Sequence, residues 1–178
     1  MNQASNHESL FQKFVRIFKP SRTIPITPWR AESTWSLGSG NHKLQRMFFL
    51  IFGLTLFGIG EAFLVVTGLG NSPWVVLSEG ISLNSDFNIG ESTFLVSVAV
   101  LAFWIPLKQM PGFGTLANIV VIAASLELGL FIIPEVSNLF AKYFYVLIGI
   151  GLVGVGSALY ITCGLGTGPR DGLMTGLH

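Results

Sequence analysis

Residues 53–81 read GLTLFGIGEAFLVVTGLGNSPWVVLSEGI, and residues 149–177 read GIGLVGVGSALYITCGLGTGPRDGLMTGL. Set together at an offset of 96 without a gap, they share eleven identities. Six are glycines (Gly53/Gly149, Gly58/Gly154, Gly60/Gly156, Gly68/Gly164, Gly70/Gly166, Gly80/Gly176) and one is a proline (Pro73/Pro169). Leu56/Leu152, Ala62/Ala158, Leu69/Leu165 and Leu77/Leu173 complete the set. Glycine frees the backbone and proline fixes it, so what is written twice is a chain path: an apolar helix, a glycine-broken turn and a short second segment.

Hydrophobic residues make up 51% of the chain and charged residues 11%, with a mean hydropathy of +0.64. Soluble domains carry about 25% charged residues, so the composition reads as an all-α integral membrane protein. Seven of the ten Lys and Arg residues precede Met47. The net charge of +1 therefore conceals a basic tail and gives no reason to expect nucleic acid as a partner. Cys163, the single cysteine, lies in an apolar run, and His7, His42 and His178 are scattered. Neither a disulfide framework nor a metal site is expected, and with no catalytic constellation the chain is read as carrying no cofactor and not being an enzyme.

Residues 47–67 form an apolar run of 21 residues, close to the roughly 20 needed to cross a bilayer as a helix. Residues 91–107, 114–133 and 143–163 give three further spans; the second is the shortest, and Pro106 interrupts its end. Lys43 and Arg46 precede span one, residues 68–90 hold no Lys or Arg, Lys108 follows span two, and Arg170 follows span four. Positive-inside counting then puts both ends on the cytoplasmic side. About four transmembrane helices plus short re-entrant or interfacial helices are expected, with spans one and four running oppositely, as an inverted repeat. Repeat one covers residues 46–141 and an incomplete repeat two covers 142–178, read as a fragment of a longer chain or as a reduced form completed by partner helices.

Residues 1–45 read as a basic cytosolic tail. Leu10, Phe14, Ile17 and Phe18 fall at helical spacing, as in an interfacial helix on an anionic leaflet. The Ser, Thr, Pro and Gly content of residues 21–41 favours disorder there.

Small-xxx-small pairs let helices approach closely in lipid. Gly58 with Ala62, repeated as Gly154 with Ala158, is expected to form the contact between spans one and four. At the breaks, Gly68 and Gly70 end one helix and Pro73 starts another, followed by Trp74; Gly164, Gly166, Pro169, Arg170 and Asp171 repeat the pattern. Free amides at a helix start favour anions, so two such breaks facing each other would make a substrate or ion cage. The plainer alternative is a turn leading into an interfacial helix anchored by Trp74.

Glu61 and Glu127 are the costly residues. A charge at mid-helix costs about 2.5–3.5 kcal/mol on insertion, which the thirteen Phe, Leu, Ile and Val residues of span one offset at about 0.3–0.6 each. On a helical wheel Glu61 lies about 60° from Gly58, near the packed face, and Glu127 lies opposite Asn118. Intramembrane carboxylates are candidate proton or cation sites. Asn118 and Glu127 therefore join Glu61 and the two breaks as candidate pathway residues.

GLGNSPWVVLSEGIS, WIPLKQMPGFGTLANI, LELGL and GLGTGPRDGLMTGLH together resemble the YczE/YitT-like group of bacterial polytopic membrane proteins, over about residues 46–178. The resemblance implies a bacterial inner-membrane protein whose relatives continue for further helices, and it transfers no catalytic residue. It also makes Glu61 particular to this chain. The reading that follows is a transporter-like protein moving a small solute or ion; the alternative is a non-transporting scaffold or regulator acting through a partner. Besides the lipid bilayer, the expected partners are a second copy or completing helices.

Overall fold

A computed structural model describes residues 29–37 and 41–176. Among the described residues six helices follow one another: α1 Asn41–Thr67, α2 Pro73–Leu83, α3 Ile89–Ala102, α4 Phe113–Ile132, α5 Leu139–Thr162 and α6 Pro169–Gly176. The protein is an all-α membrane protein. Among the described residues three helices, His42–Thr67, Phe113–Ile132 and Leu139–Thr162, are long and apolar enough to cross a bilayer.

The expected second span ends early. α3 has 14 residues, about 21 Å at 1.5 Å per residue, and the chain turns from Phe103 to Lys108 instead of continuing to residue 107. Pro106 offers no amide to a helix, and Lys108 takes a left-handed φ of 52°. The start of α3 is closely defined. Asn88 Oδ1 accepts from the Glu91 amide at 2.7 Å, Glu91 Oε2 accepts from the Asn88 amide at 3.0 Å, and Glu127 Oε2 accepts from the Gly90 amide at 3.0 Å.

α1 is the central helix, packed between α4 and α5. Which glycines make these contacts differs from the expectation. The seam with α5 uses Gly53, Gly60, Gly149 and Gly156: a Cβ at Gly53 would lie 2.9 Å from the Gly156 carbonyl oxygen, and one at Gly60 would lie 2.9 Å from that of Gly149. Gly58 and Ala62 face α4 instead, with Gly58 against Ile122 and Leu126 and Ala62 against Gly129. Gly154 meets nothing within 4 Å. Gly58 and Gly60 point nearly opposite ways round the helix, so these two glycines serve different neighbours. Pairing of rising with falling numbers makes α1 and α5 antiparallel; α1 and α4 are parallel.

Residues 29–37, expected to be disordered, close the end of the bundle where α1 starts. Arg46 is 8% exposed. Its Nε, Nη2 and Nη1 donate to the carbonyls of Trp29, Arg30 and Leu37 at 2.8, 2.8 and 3.1 Å. The Ala31 amide donates to the Cys163 carbonyl at 2.8 Å, and the Phe113 amide to that of Thr34 at 3.0 Å. The rings of Trp29 and Phe49 lie 4.5 Å apart. Buried apolar contacts outweigh the polar composition that suggested disorder. The interfacial helix expected over Leu10 to Phe18 lies outside the described residues.

Candidate functional site

Both breaks turn on left-handed glycines. Gly68 and Gly164 have φ of 63° and 69°, and Gly70 and Gly166 have φ of 148° and 112°, conformations that residues with a Cβ rarely adopt. After each break the chain re-enters the bundle. Ser72 Oγ donates to Glu61 Oε1 at 3.0 Å, six residues or about 9 Å before the end of α1. In the second copy, the Gly114 amide donates to the Leu165 carbonyl at 2.8 Å and Thr115 Oγ1 to that of Thr167 at 2.7 Å, fixing the break on the start of α4. Gly168 sits against Asn118, where a Cβ would lie 2.8 Å from Nδ2. Trp104 Nε1 donates to the Pro169 carbonyl at 3.0 Å and its ring lies against Gly172, holding α6 to the end of α3.

The breaks leave from opposite ends of the bundle: Cys163 Sγ meets the Arg46 carbonyl at 3.7 Å, which sets the end of α5 beside the start of α1. Their polar groups nevertheless meet inside it. Arg170 Nη1 lies 3.9 Å from Glu61 Oε1, with the two side chains 13% and 3% exposed. Asp171 Oδ2 accepts a hydrogen bond from Tyr160 Oη. A carboxyl and a hydroxyl from copy one thus come near a guanidinium from copy two, while the neighbouring carboxylate of copy two is held by α5.

Of the expected residues, Glu61, Asn118, Pro169, Arg170 and Asp171 are gathered around this site, and Pro73 begins the helix next to Ser72. Gly68 and Gly70 have nothing within 4 Å where a Cβ would stand and act as turn formers; Gly164 and Gly166 seat the second break against Arg30 and Thr115. Glu127 is elsewhere, capping α3. Trp74 lines an apolar groove of about 430 Å³ with Leu77, Val96, Val100 and Leu173. Ser72, Tyr160, Trp104 and Thr115 complete the arrangement without having been singled out in the sequence. Tyr160 had a signal: it replaces Leu64 of the first copy, a hydroxyl where the repeat has an alkyl chain. Among the described residues there is no cluster of His, Cys, Asp and Glu that could hold a metal ion.

A bundle of apolar helices with two broken segments that return into it and a buried Glu61–Arg170 contact defines the class as a polytopic helical membrane protein. Residues 44–178 match a family of unknown function, DUF6198, and the chain belongs to it. It is 46% identical over 159 residues to an uncharacterized protein of Haemophilus influenzae, covering 89% of this chain and 71% of that one. It is 29% identical over 129 residues to the uncharacterized membrane protein YczE of Bacillus subtilis, covering 72% and 57%, and 26% identical to the uncharacterized protein YyaS of the same species over 125 residues, covering 68% and 62%. The chain thus spans less than two thirds of the two Bacillus proteins, and the expected likeness to the YczE group holds. No solved structure matches.

Proposed function

We propose that this chain belongs to a transporter-like protein of the bacterial inner membrane, its amino terminus cytoplasmic, that moves a small solute or ion between two inverted copies of the broken-helix unit. The observation that carries this reading is the meeting of Glu61 and Ser72 of one copy with Arg170 of the other, buried between breaks that leave from opposite ends. Inverted repeats with discontinuous helices at a central site are a recurrent construction of secondary transporters.

The contacts along α1 and α5 support the inverted relation. Gly53 meets Gly156 and Gly60 meets Gly149, and in the 96-residue offset Gly149 is the counterpart of Gly53 and Gly156 that of Gly60. Gly53 also meets Tyr160 and Gly149 meets Leu64, again counterparts exchanged. A twofold operation that exchanges the copies carries each contact of a pair onto the other, as inverted copies require.

Vesicles carrying the chain, loaded against a panel of labelled amino acids, sugars and monovalent ions, test the reading. At least one solute is expected to cross faster than in protein-free vesicles, and Glu61→Gln and Arg170→Gln are expected to lower that flux at least tenfold. Background flux for the whole panel from correctly folded protein rejects transport. The second reading, a scaffold acting through a partner, is favoured by the open face of α5 at Gly151 and Gly154; one stoichiometric partner retained through purification, with no flux, would select it.

A further inference from the structure

Only one of the two Glu61 carboxyl oxygens is engaged. Oε1 accepts from Ser72 and lies 3.9 Å from Arg170 Nη1, beyond direct hydrogen-bond range. Oε2 is buried and has no hydrogen-bond partner among the described residues. Asn71, one residue before Ser72, is in the same condition: Nδ2 donates to Glu79 Oε2 at 2.8 Å, while Oδ1 is buried without a donor. The Glu79 carboxylate accepts only, so it fixes which end of the Asn71 amide is oxygen. Two acceptor oxygens are thus brought to one break by the Ser72–Glu61 bond, and neither has a donor. A buried acceptor left so costs about 1–3 kcal/mol, more when charged.

The polar groups at the two breaks do not meet this need. From α6, Arg170 is placed at the other oxygen and Asp171 is an acceptor. From α5, the Tyr160 hydroxyl is committed to Asp171. From α2, Glu79 is an acceptor held by Asn71. α4 presents Ile122, Ser125, Leu126 and Gly129 to α1, with Ser125 Oγ donating to the Val121 carbonyl at 2.5 Å. What is missing is a hydrogen bearing positive charge. A metal ion fits less well, because it would need several more oxygens than these two and would stand beside a guanidinium.

We propose that Glu61 is a proton-binding site, with the proton on Oε2 and Arg170 as the cation that closes on the carboxylate when the proton leaves to water. One proton turns the unmet acceptor into a donor. Its release leaves a carboxylate that the Arg170 guanidinium, already 3.9 Å away, neutralises by a short movement. As a coupling step this rests on the transport reading above; as a proton site it does not.

Infrared difference spectra of the full chain in lipid nanodiscs, taken between acid and alkaline pH, test it. The expected result is a pH-dependent carbonyl stretch of a buried carboxylic acid, lost in Glu61→Gln, kept in Glu127→Gln and Glu79→Gln, and shifted in its pH of disappearance by Arg170→Gln. The wild-type protein alone can overturn the proposal: no buried-acid signal, or a carboxylate signal that responds to sodium ions at constant pH, refutes proton binding. Survival of the signal in Glu61→Gln refutes it as well. If the signal follows Glu61 and no solute flux is found, the proton site stands and the transport reading falls. If flux occurs but is indifferent to an imposed pH gradient, transport stands and the coupling role is refuted.

Discussion

Arg46 carries more of the structure than a topology signal would. Its planar fork reaches three carbonyls, those of Trp29, Arg30 and Leu37, a geometry that a lysine ammonium on its flexible stem cannot reproduce. Hydrogen bonds from a charged donor contribute about 1.5–3 kcal/mol each, with losses within one network not additive. Arg46→Met is therefore expected to destabilise the protein by about 3 kcal/mol or more and to release residues 29–37 to protease. Arg46→Lys should recover only part of this, and Lys43→Met, at an exposed position, should stay within about 0.5 kcal/mol. Unfolding in mixed micelles together with limited proteolysis measures both effects. In sequence the residue was legible only as a positive charge before a span, because charge counting records side and not partner. Glu61 was better placed: its angle to Gly58 put it on the packed face, which its burial bears out.

At the scale of elements, what sequence could not supply was the neighbour of each helix face. Glu127 stood out as an intramembrane carboxylate, yet it serves the start of α3, whose amides at Gly90 and Glu91 are taken by Glu127 and Asn88. This is capping of unpaired helix amides by oxygen acceptors, carried out in part from another helix 37 residues away in sequence. Removing one cap with Asn88→Ala should cost about 1 kcal/mol. Glu127→Ala should cost about 1–3 kcal/mol, since it leaves the Gly90 amide buried without an acceptor. Hydrogen exchange accelerated over residues 89–93, with α1 and α5 unchanged, is the expected signature; acceleration spread evenly over the bundle would argue against a capping role. The Asn-x-x-Glu spacing of Asn88 and Glu91 is a local capping-box pattern that went unremarked in the sequence, whereas the third contributor needed the fold. The same holds for the breaks: glycine and proline spacing located both, but the depth to which Ser72 and Arg170 return depends on tertiary contacts.

For the whole molecule, the repeated glycines sort into those that join helices and those that do not. In lipid, helix association rests on close packing rather than on expulsion of water, so a seam made of glycines facing carbonyls has no slack. A Cβ at Gly156 would lie 2.6 Å from the Gly53 carbonyl oxygen and 2.8 Å from the Phe57 amide nitrogen. Both are backbone atoms, so α1 and α5 would have to separate along their length. Two residues away on the same helix, a Cβ at Gly154 meets nothing within 4 Å. Gly156→Val should thus lose about 1–3 kcal/mol or more through overpacking, and Gly53→Val similarly, while Gly154→Val should remain within about 0.5 kcal/mol. Denaturant titration of the three variants in one detergent decides the matter. A loss at Gly154 as large as that at Gly156 would mean that another helix covers the open face of α5, as α4 covers the counterpart face of α1 at Gly58 and Ala62, and equilibrium sedimentation of the same samples would then show whether that helix comes from a second copy of the chain.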